Sequence, residues 1–267
     1  MPLAQPPAWR QPPVGPAHPL SVRSRTGAPL ERRGPVLRPV FHHAPPTALV
    51  RQLARWLPPG ADTPRQDVAE RLGQWLNVKE AIGLHTAPSA VAAAGVAAAR
   101  RARPPAPAGE LQASLLAELQ RVRSVLGQSI TTRDPGHKPD PNDLDTEFAF
   151  FHQRLNDQQR RMELSVDALR GHVRQRLAQS TPAHAQLAVL DQQMEQLFGG
   201  REQRLLAGLP AFLKARYQAL RRQAAASENP QDLAWLRGFE SDFEQALLAE
   251  LDLRLQPVTG LIESLDP

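Results

Sequence analysis

Residues 142–179 have the sequence NDLDTEFAFFHQRLNDQQRRMELSVDALRGHVRQRLAQ, in which apolar side chains recur every three or four positions. That spacing places them on one face of an α-helix. The stripe consists of Phe148, Phe151, Leu155, Met162, Val166, Leu169, Val173 and Leu177. Asp143, Asp145 and Glu147 supply negative charge where a helix N-terminus favours it. The stretch predicts one helical rod of roughly 55 Å.

Two more helical stretches follow, and each opens with a capping residue and a proline. Thr181-Pro182 and Asn229-Pro230 are these starts, and Thr63-Pro64 repeats the pattern nearer the N-terminus. The second stripe is Leu187, Leu190, Met194, Leu197, Leu205, Phe212 and Leu220; the third is Leu233, Leu236, Phe239, Phe243, Leu247, Leu251, Leu255 and Val258. Gly199-Gly200 and Gly208 to Pro210 should kink the second helix.

Charge indicates how these helices pack. Residues 181–226 hold six basic and three acidic side chains, whereas residues 227–267 hold two basic and nine acidic ones. We expect the two stretches to fold back on each other as an antiparallel hairpin with opposite fields facing. The predicted fold is all-α: an elongated, coiled-coil-like bundle of three long helices spanning residues 142–265.

The chain before this bundle divides into shorter pieces. Residues 47–86 predict a small helical subdomain, which includes Trp56 and the stripe Val68, Leu72, Trp75 and Leu76. Residues 87–109 are rich in Ala and Pro and predict a linker whose Ala part is transiently helical. Residues 110–131 predict an amphipathic helix.

Residues 1–46 carry 12 of the 27 prolines and six arginines against one acid, Glu31. Such a composition buries too little apolar surface to offset the entropy of ordering, so we expect a disordered leader. A start site placed too far upstream would have the same composition. The remaining chain has equal numbers of basic and acidic residues, so the pI near 10.5 reflects the leader and predicts no basic folded domain.

Composition and motifs argue against several functions. The absence of Cys excludes disulfides, thiolate metal sites and a Cys nucleophile. We find no secretory signal and no apolar run near the roughly 20 residues that span a bilayer, so we expect a cytoplasmic protein without direct membrane insertion. The chain has no phosphate-binding Gly-rich loop, metalloprotease helix or nucleophile elbow, and we expect a non-enzymatic protein without a cofactor.

The C-terminal run Leu247 to Glu263, LLAELDLRLQPVTGLIE, resembles the ending of a bacterial family known only as a domain of unknown function. The segments AERLGQWL at residues 69–76 and REQRLLAGLP at residues 201–210 are similar to it as well, so the resemblance covers about residues 47–265. It implies no catalytic residue. It does imply an accessory role in an envelope or motor-like complex, peripheral to the inner membrane through a partner.

Aromatic residues on the predicted stripes are the candidate interaction surface. They are Phe148, Phe151, Leu155, Phe239, Phe243, Trp56 and Trp75. At helical spacing such residues are more often core, and both roles are compatible if spare apolar surface closes by self-association or on another helical protein.

Other polar groups are weaker candidates. Arg100, Arg101 and Arg103 could contact phosphates, although a solvated face explains them better and nucleic acid is an unlikely partner. Asp140 and Asn142 partly match a calcium loop, but the turn Gly is missing and a Pro-rich linker explains them. His152 and His172 lie too far apart for one ion.

The sequence therefore favours a helical scaffold, with nucleic-acid association through the basic leader and the Arg100 cluster as the alternative.

Overall fold

The computed structural model of the chain describes residues 47–57, 78–100, 108–133, 139–140, 143–226 and 232–265. Within these ranges the regular structure is entirely helical. The helices are α1 (Ala48–Ala54), α2 (Val78–Ala99), α3 (Ala108–Thr131), α4 (Leu144–Ala178), α5 (Pro182–Leu206), α6 (Leu209–Ala225) and α7 (Ala234–Glu263). The predicted all-α class is confirmed.

Helix α7 is the centre of the bundle. It packs against α1, α3, α4 and α6, so it buries apolar residues on more than one side. Contacts between Phe151 and Phe239 and between Gln159 and Glu250 show that α4 and α7 run parallel. Helices α3 and α6 run antiparallel to α7, as the Arg123–Asp252 and Arg133–Glu240 pairs and the Tyr217–Trp235 and Arg216–Asp242 contacts require.

The second long stretch is divided, which differs from the three-rod arrangement expected for residues 181–226. Ala207 and Gly208 separate α5 from α6, and Pro210 lies in the first turn of α6. Proline suits this position because its missing N–H would have no helical partner there. Gly199 and Gly200 remain inside α5 without a break.

The division changes the expected charge pairing. Only α6 folds back on α7, with Arg216 bonded to Asp242 at 2.7 Å. Helix α5 packs instead on α4 and α2, and its Asp191 receives a two-pronged bond from Arg170 of α4. The opposite charges of residues 181–226 and 227–267 therefore pair through α6. Four of the six basic residues of the first stretch lie on α6, and α6 has no acidic residue.

Residues 87–99, expected as part of a linker, belong to α2. This helix runs antiparallel to α5, because a Cβ at Gly83 would lie 3.4 Å from Leu197 and one at Gly95 would overlap the Gln186 amide. Small buried residues allow this approach, namely Ala87, Ala98, Ala185 and Ala188. Since alanine contributes little to a hydrophobic stripe, the packing gave no strong periodic signal.

Several predicted helix starts can be compared with the structure. Asp143 caps α4 by accepting from the Thr146 amide at 3.1 Å, and Thr181 caps α5 through the His184 amide at 3.2 Å. Helix α7 begins at Ala234, whose amide donates to Asp232. The expected starts at Thr63 and Asn229 lie outside the described residues.

The N-terminal pieces were expected as a leader and a small subdomain. Residues 1–46 and 58–77, including Trp75, lie outside the described residues. Helix α1 packs on α7, where it buries Leu49 and where Gln52 bonds to Gln245 at 3.1 Å. In the described part of the chain, every helix is too short or too polar to cross a membrane.

Candidate functional site

An aromatic cluster joins the start of α4, the middle of α6 and the start of α7. Phe151, Phe239 and Phe243 are buried, and the Phe151 ring meets the other two edge-on at centroid distances of 5.0 and 5.4 Å. Leu155 is buried below them, and Phe148 is half-buried at 5.1 Å from Tyr217. These predicted interaction residues lie inside the bundle and bind its own helices together.

Tyr217, the only tyrosine of the chain, connects this cluster to the backbone. Its hydroxyl donates to the Leu144 carbonyl at 2.7 Å, and its ring lies 4.9 Å from Phe239. Burial raises the pKa of Tyr217 to about 12, with a smaller contribution from Glu147 and Asp145. The group is held neutral as a hydrogen-bond donor and has no acid–base role near pH 7.

A pocket of about 370 Å³ opens beside the cluster, between α4 and α7; we call it the anchor pocket. Its apolar lining includes Phe150, Phe151, Leu233 and Leu236, and its charged lining includes Arg133, Arg154, Arg237 and Glu240. Phe150 is 36% exposed and meets Phe151 edge-on at 6.1 Å. Phe150 lies between Phe148 and Phe151 in the sequence but off the buried stripe, which is a signal of an exposed aromatic side chain.

Arginines and glutamates fix the rim of the anchor pocket. Arg154 is largely buried, donates to the Ile130 and Thr132 carbonyls at the end of α3, and stands 5.4 Å above the Phe243 ring. Arg133 pairs with Glu240 at 3.2 Å. Because these side chains are already bonded, the pocket keeps its shape without a ligand. Aromatic and arginine side chains around an apolar floor are typical of sites that hold a protein partner.

A second concave surface lies on the outer side of α6, and we call it the α6 groove. Its volume is about 580 Å³, and it is lined by Trp56, Leu57, Ala211, Phe212, Ala215, Arg216, Ala219 and Arg222. Trp56 is half-buried, with the Arg216 guanidinium 6.0 Å from its ring centroid. Of the predicted interaction residues in described parts of the chain, Trp56 is the one that lines a groove outside the aromatic cluster.

Charged residues between α4 and α5 form a network. Arg170 bonds Asp191 at 2.6 and 2.9 Å, and Arg174 bonds Glu195 at 2.8 Å. Beside them, burial raises the pKa of Asp167, as do the negative charges of Glu195 and Glu163. The bidentate geometry fixes the register of the two helices.

One buried charge lies on α7. Glu250 is fully buried and accepts from the Gln159 amide at 3.0 Å and from Arg254 at 2.7 Å. Its position three residues after Leu247 put it on the apolar stripe, which was the sequence signal for burial. Since all its described partners are on α4 and α7, we assign it a structural role.

The histidines and the acidic loop that were weaker candidates for an ion site do not come together in one place. His172 pairs with Glu118 at 3.2 Å, and His152 contacts Asn156 on its own helix. The Asp140 amide donates to Glu147, while Asn142 lies outside the described residues. Searching the described residues for three or more side chains able to hold a metal ion gives none.

The predicted phosphate contacts are only partly placed. Arg100 is exposed at the end of α2, whereas Arg101 and Arg103 lie outside the described residues. Arginines elsewhere in the chain bond to other helices. Arg161 donates to Ser129 of α3, and Arg221 pairs with Asp145 of α4. In the described part of the chain these cations contact protein groups on different helices.

The described residues form an all-helical bundle, and the anchor pocket and the α6 groove are concave surfaces on it. The chain belongs to the family described as Protein of unknown function (DUF3348), whose model matches residues 39–267. The expected membership in a family of unknown function is confirmed. Neither the curated proteins nor the solved structures contain a match to this chain.

Proposed function

We propose that this protein is a non-enzymatic helical scaffold that associates with another copy of itself through the anchor pocket. The observation that supports this most is Phe150, an exposed aromatic ring beside an apolar pocket whose rim is held by bonded arginines. Burying such a ring contributes about 1.5–3 kcal/mol. Covering the exposed part of this ring in a complex contributes part of that free energy.

A two-fold symmetric pair is the arrangement that we propose for Phe150 and the anchor pocket. In an isologous pair the same surface meets itself, so Phe150 of one copy would pack over the anchor pocket of the other. The lining carries both signs of charge, from Arg237 and from Asp232 and Glu240. A two-fold axis would bring opposite charges together, which sets the orientation of the pair more than its affinity.

The test is sedimentation equilibrium of the whole chain over a wide concentration range. We expect a reversible dimer that Phe150→Glu converts to a monomer, with melting unchanged because the side chain is exposed. The matched control is Leu164→Glu, on the same helix and 64% exposed but outside the pocket lining, which should leave the dimer intact. A monomer at every concentration, or a dimer insensitive to Phe150→Glu, would contradict the proposal.

The setting of this scaffold is proposed from the family resemblance alone. We infer a cytoplasmic accessory to an envelope or motor-like complex, held at the inner membrane by a partner subunit. Cell fractionation of the native host tests this: the protein should leave the membrane fraction when salt or detergent dissolves the complex. Recovery only with free cytosolic proteins before any treatment would count against it.

Nucleic-acid association through the basic leader and the Arg100 cluster is the second candidate, and the cations of α6 add to its support. This helix has four cations and no acid, and Lys214 and Arg222 are exposed. Arg216 and Arg221 are already paired with carboxylates, which leaves few charges for phosphates. A gel-shift assay with and without residues 1–46 separates the candidates, because loss of salt-sensitive binding on removal of the leader would favour nucleic acid.

A further inference from the structure

The two segments that line the α6 groove carry a local excess of positive charge. One segment is residues 47–57, which ends with two residues of the groove wall, and the other is α6. Neither segment contains an acidic residue, and their basic residues are Arg51, Arg55, Lys214, Arg216, Arg221 and Arg222. Since residues 47–267 as a whole hold equal numbers of basic and acidic side chains, this concentration of cations is a local feature of the surface.

Most of these cations are free to pair with a ligand. Arg216 is already paired with Asp242 at 2.7 Å, and Arg221 with Asp145 at 2.8 Å. The other four basic side chains are exposed, and within the described ranges no group is bonded to them. One of the four, Arg222, lines the groove. A ligand with acidic groups can therefore pair with this surface without breaking a contact inside the bundle.

The surface between the cations is apolar and partly aromatic. Phe212 is 37% exposed and Leu57 is 38% exposed. Trp56 is half-buried, with the guanidinium of Arg216 6.0 Å from its ring centroid. Aromatic and arginine side chains around an apolar floor are typical of sites that anchor a protein partner.

The groove has the dimensions of a seat for one helix. Its floor is a row of alanines one turn apart, Ala211, Ala215 and Ala219. From Ala211 to Arg222 the groove follows α6 for about 16 Å, which is about three turns of a second helix. Because alanine side chains are small, that helix can approach α6 closely. A helix that matches this surface has one apolar face and acidic residues beside it.

Neither the basic leader nor the acidic helix α7 of a second copy matches the groove. The leader, residues 1–46, has an excess of arginine and would be repelled by the cations. Among the described helices α7 has the largest acidic excess, with six acidic and two basic residues. Its apolar residues are buried in the bundle, so a second copy could not present them without unfolding. These observations favour a different protein as the occupant.

We propose that the α6 groove binds an acidic amphipathic helix of another protein. The apolar face of that helix lies on the alanine row, and its carboxylates pair with Lys214 and Arg222. This surface is separate from the anchor pocket, so the scaffold can hold a second copy of itself and a different partner at the same time.

Site-specific photocrosslinking of the full chain in its native host tests the proposal. Benzoylphenylalanine replaces Gln218, an exposed residue on α6 between Ala215 and Arg222, and the cross-linked peptide is sequenced by mass spectrometry. This peptide should belong to a different protein and should combine apolar residues at helical spacing with an excess of acidic residues. Benzoylphenylalanine at Gln120, which is exposed on α3, is the matched control and should not capture it.

Charge reversal tests the pairing with the cations. Lys214→Glu combined with Arg222→Glu should lower the yield of the cross-link on the order of tenfold. Arg160→Glu, at an exposed position of α4, is the matched control and should leave the yield unchanged. Phe150→Glu should also leave it unchanged, so failure of the proposed dimer and failure of this proposal can be told apart.

Several results would overturn the proposal. They are the absence of a cross-link specific to Gln218, a cross-linked peptide without the acidic and helical pattern, a peptide from this chain or a second copy, and a yield that the charge reversal does not change. Purified full chain is also mixed with phosphatidylglycerol vesicles and with a DNA duplex. Binding to either one that the same two substitutions abolish would overturn the proposal in favour of an anionic lipid or a nucleic acid.

Discussion

The helix pairs α4–α7 and α2–α5 are held together in different ways. Between α4 and α7 the contacts are large: Phe151, Phe239 and Phe243 stack edge-on, and the carboxylate of Glu250 is fully buried with its partners. Between α2 and α5 the described buried contacts are small, with Gly95 against Gln186 and alanines on both sides.

The difference shows two routes to a helix contact. Large side chains bury much apolar area at wide separation, whereas small ones bring backbones close and gain from dispersion contacts. A contact between large side chains is destabilised by a buried charge that has no partner. A contact between small residues is destabilised by added side-chain volume. Variants can break each route separately.

The largest effect is expected at the α4–α7 core. Leu251→Asp places a charge at a position only 1% exposed, so the free energy of unfolding should fall by about 4 kcal/mol or more. Thermal and urea unfolding measure it. The control Leu164→Asp, 64% exposed on α4, should stay within about 0.5 kcal/mol. Similar melting of both variants would disprove the assigned core.

A smaller effect is expected where α2 meets α5. Gly95→Leu displaces the flexible side chain of Gln186 and should lower the free energy of unfolding by about 1 kcal/mol, seen as faster amide exchange in α2 and α5 but not in α7. Gly171→Leu, where nothing lies within 4 Å, isolates the gain in helix propensity and should be neutral or stabilising. Equal behaviour of the two variants would argue against close packing at Gly95.

Tyr217→Phe should cost about 1 kcal/mol, because it removes the hydrogen bond to Leu144 while keeping the ring. Its pKa of about 12 lies above the ordinary value of 10.0, so the folded state holds the proton more tightly than the unfolded chain. Stability from this group is therefore present below pH 10 and lost as pH rises toward 12. Absorbance of the single tyrosine measures the titration, and ionisation at the ordinary pH would contradict the buried bond.

The smallest effect is at the α4–α5 network. Asp167→Asn should stabilise the protein at neutral pH by about 0.2–0.5 kcal/mol, since it removes a partly buried charge that Glu195 and Glu163 repel. The raised pKa means that the folded state binds this proton more tightly, so wild-type stability gains from this group as pH falls through the raised pKa. The advantage of the variant should vanish at acid pH; an advantage that persists there would show another cause.

Sequence periodicity predicted the part of the fold that large residues build. The stripes of α4 and α7 and the cap at Thr181 follow from spacing and capping chemistry. The α2–α5 contact was not predictable in the same way, because Ala and Gly give no contrast between faces. Nor could local sequence show that Gly208 and Pro210 would redirect α6 onto α7, while Gly199 would leave α5 straight.

The candidate surfaces depend on helix packing that residue spacing alone does not determine. Phe239 and Phe243 are core, whereas Phe150 and Leu233 line the anchor pocket. Choosing among aromatics so close in sequence requires knowing which helices cover which face, and that depends on the parallel packing of α4 and α7. Trp56 was predicted as an interaction residue, and the groove that it lines also depends on α6, which is distant in sequence.

Native-state hydrogen exchange on the whole chain compares the two helix pairs directly. The large-residue core should hold the slowest amides, in α4 and α7, with opening free energies equal to that of global unfolding. Amides of α2 and α5 should exchange faster and together, as one cooperative unit, and Gly95→Leu should accelerate only them. Amides of α2 that are as slow as those of α7 would contradict the distinction between the two kinds of packing.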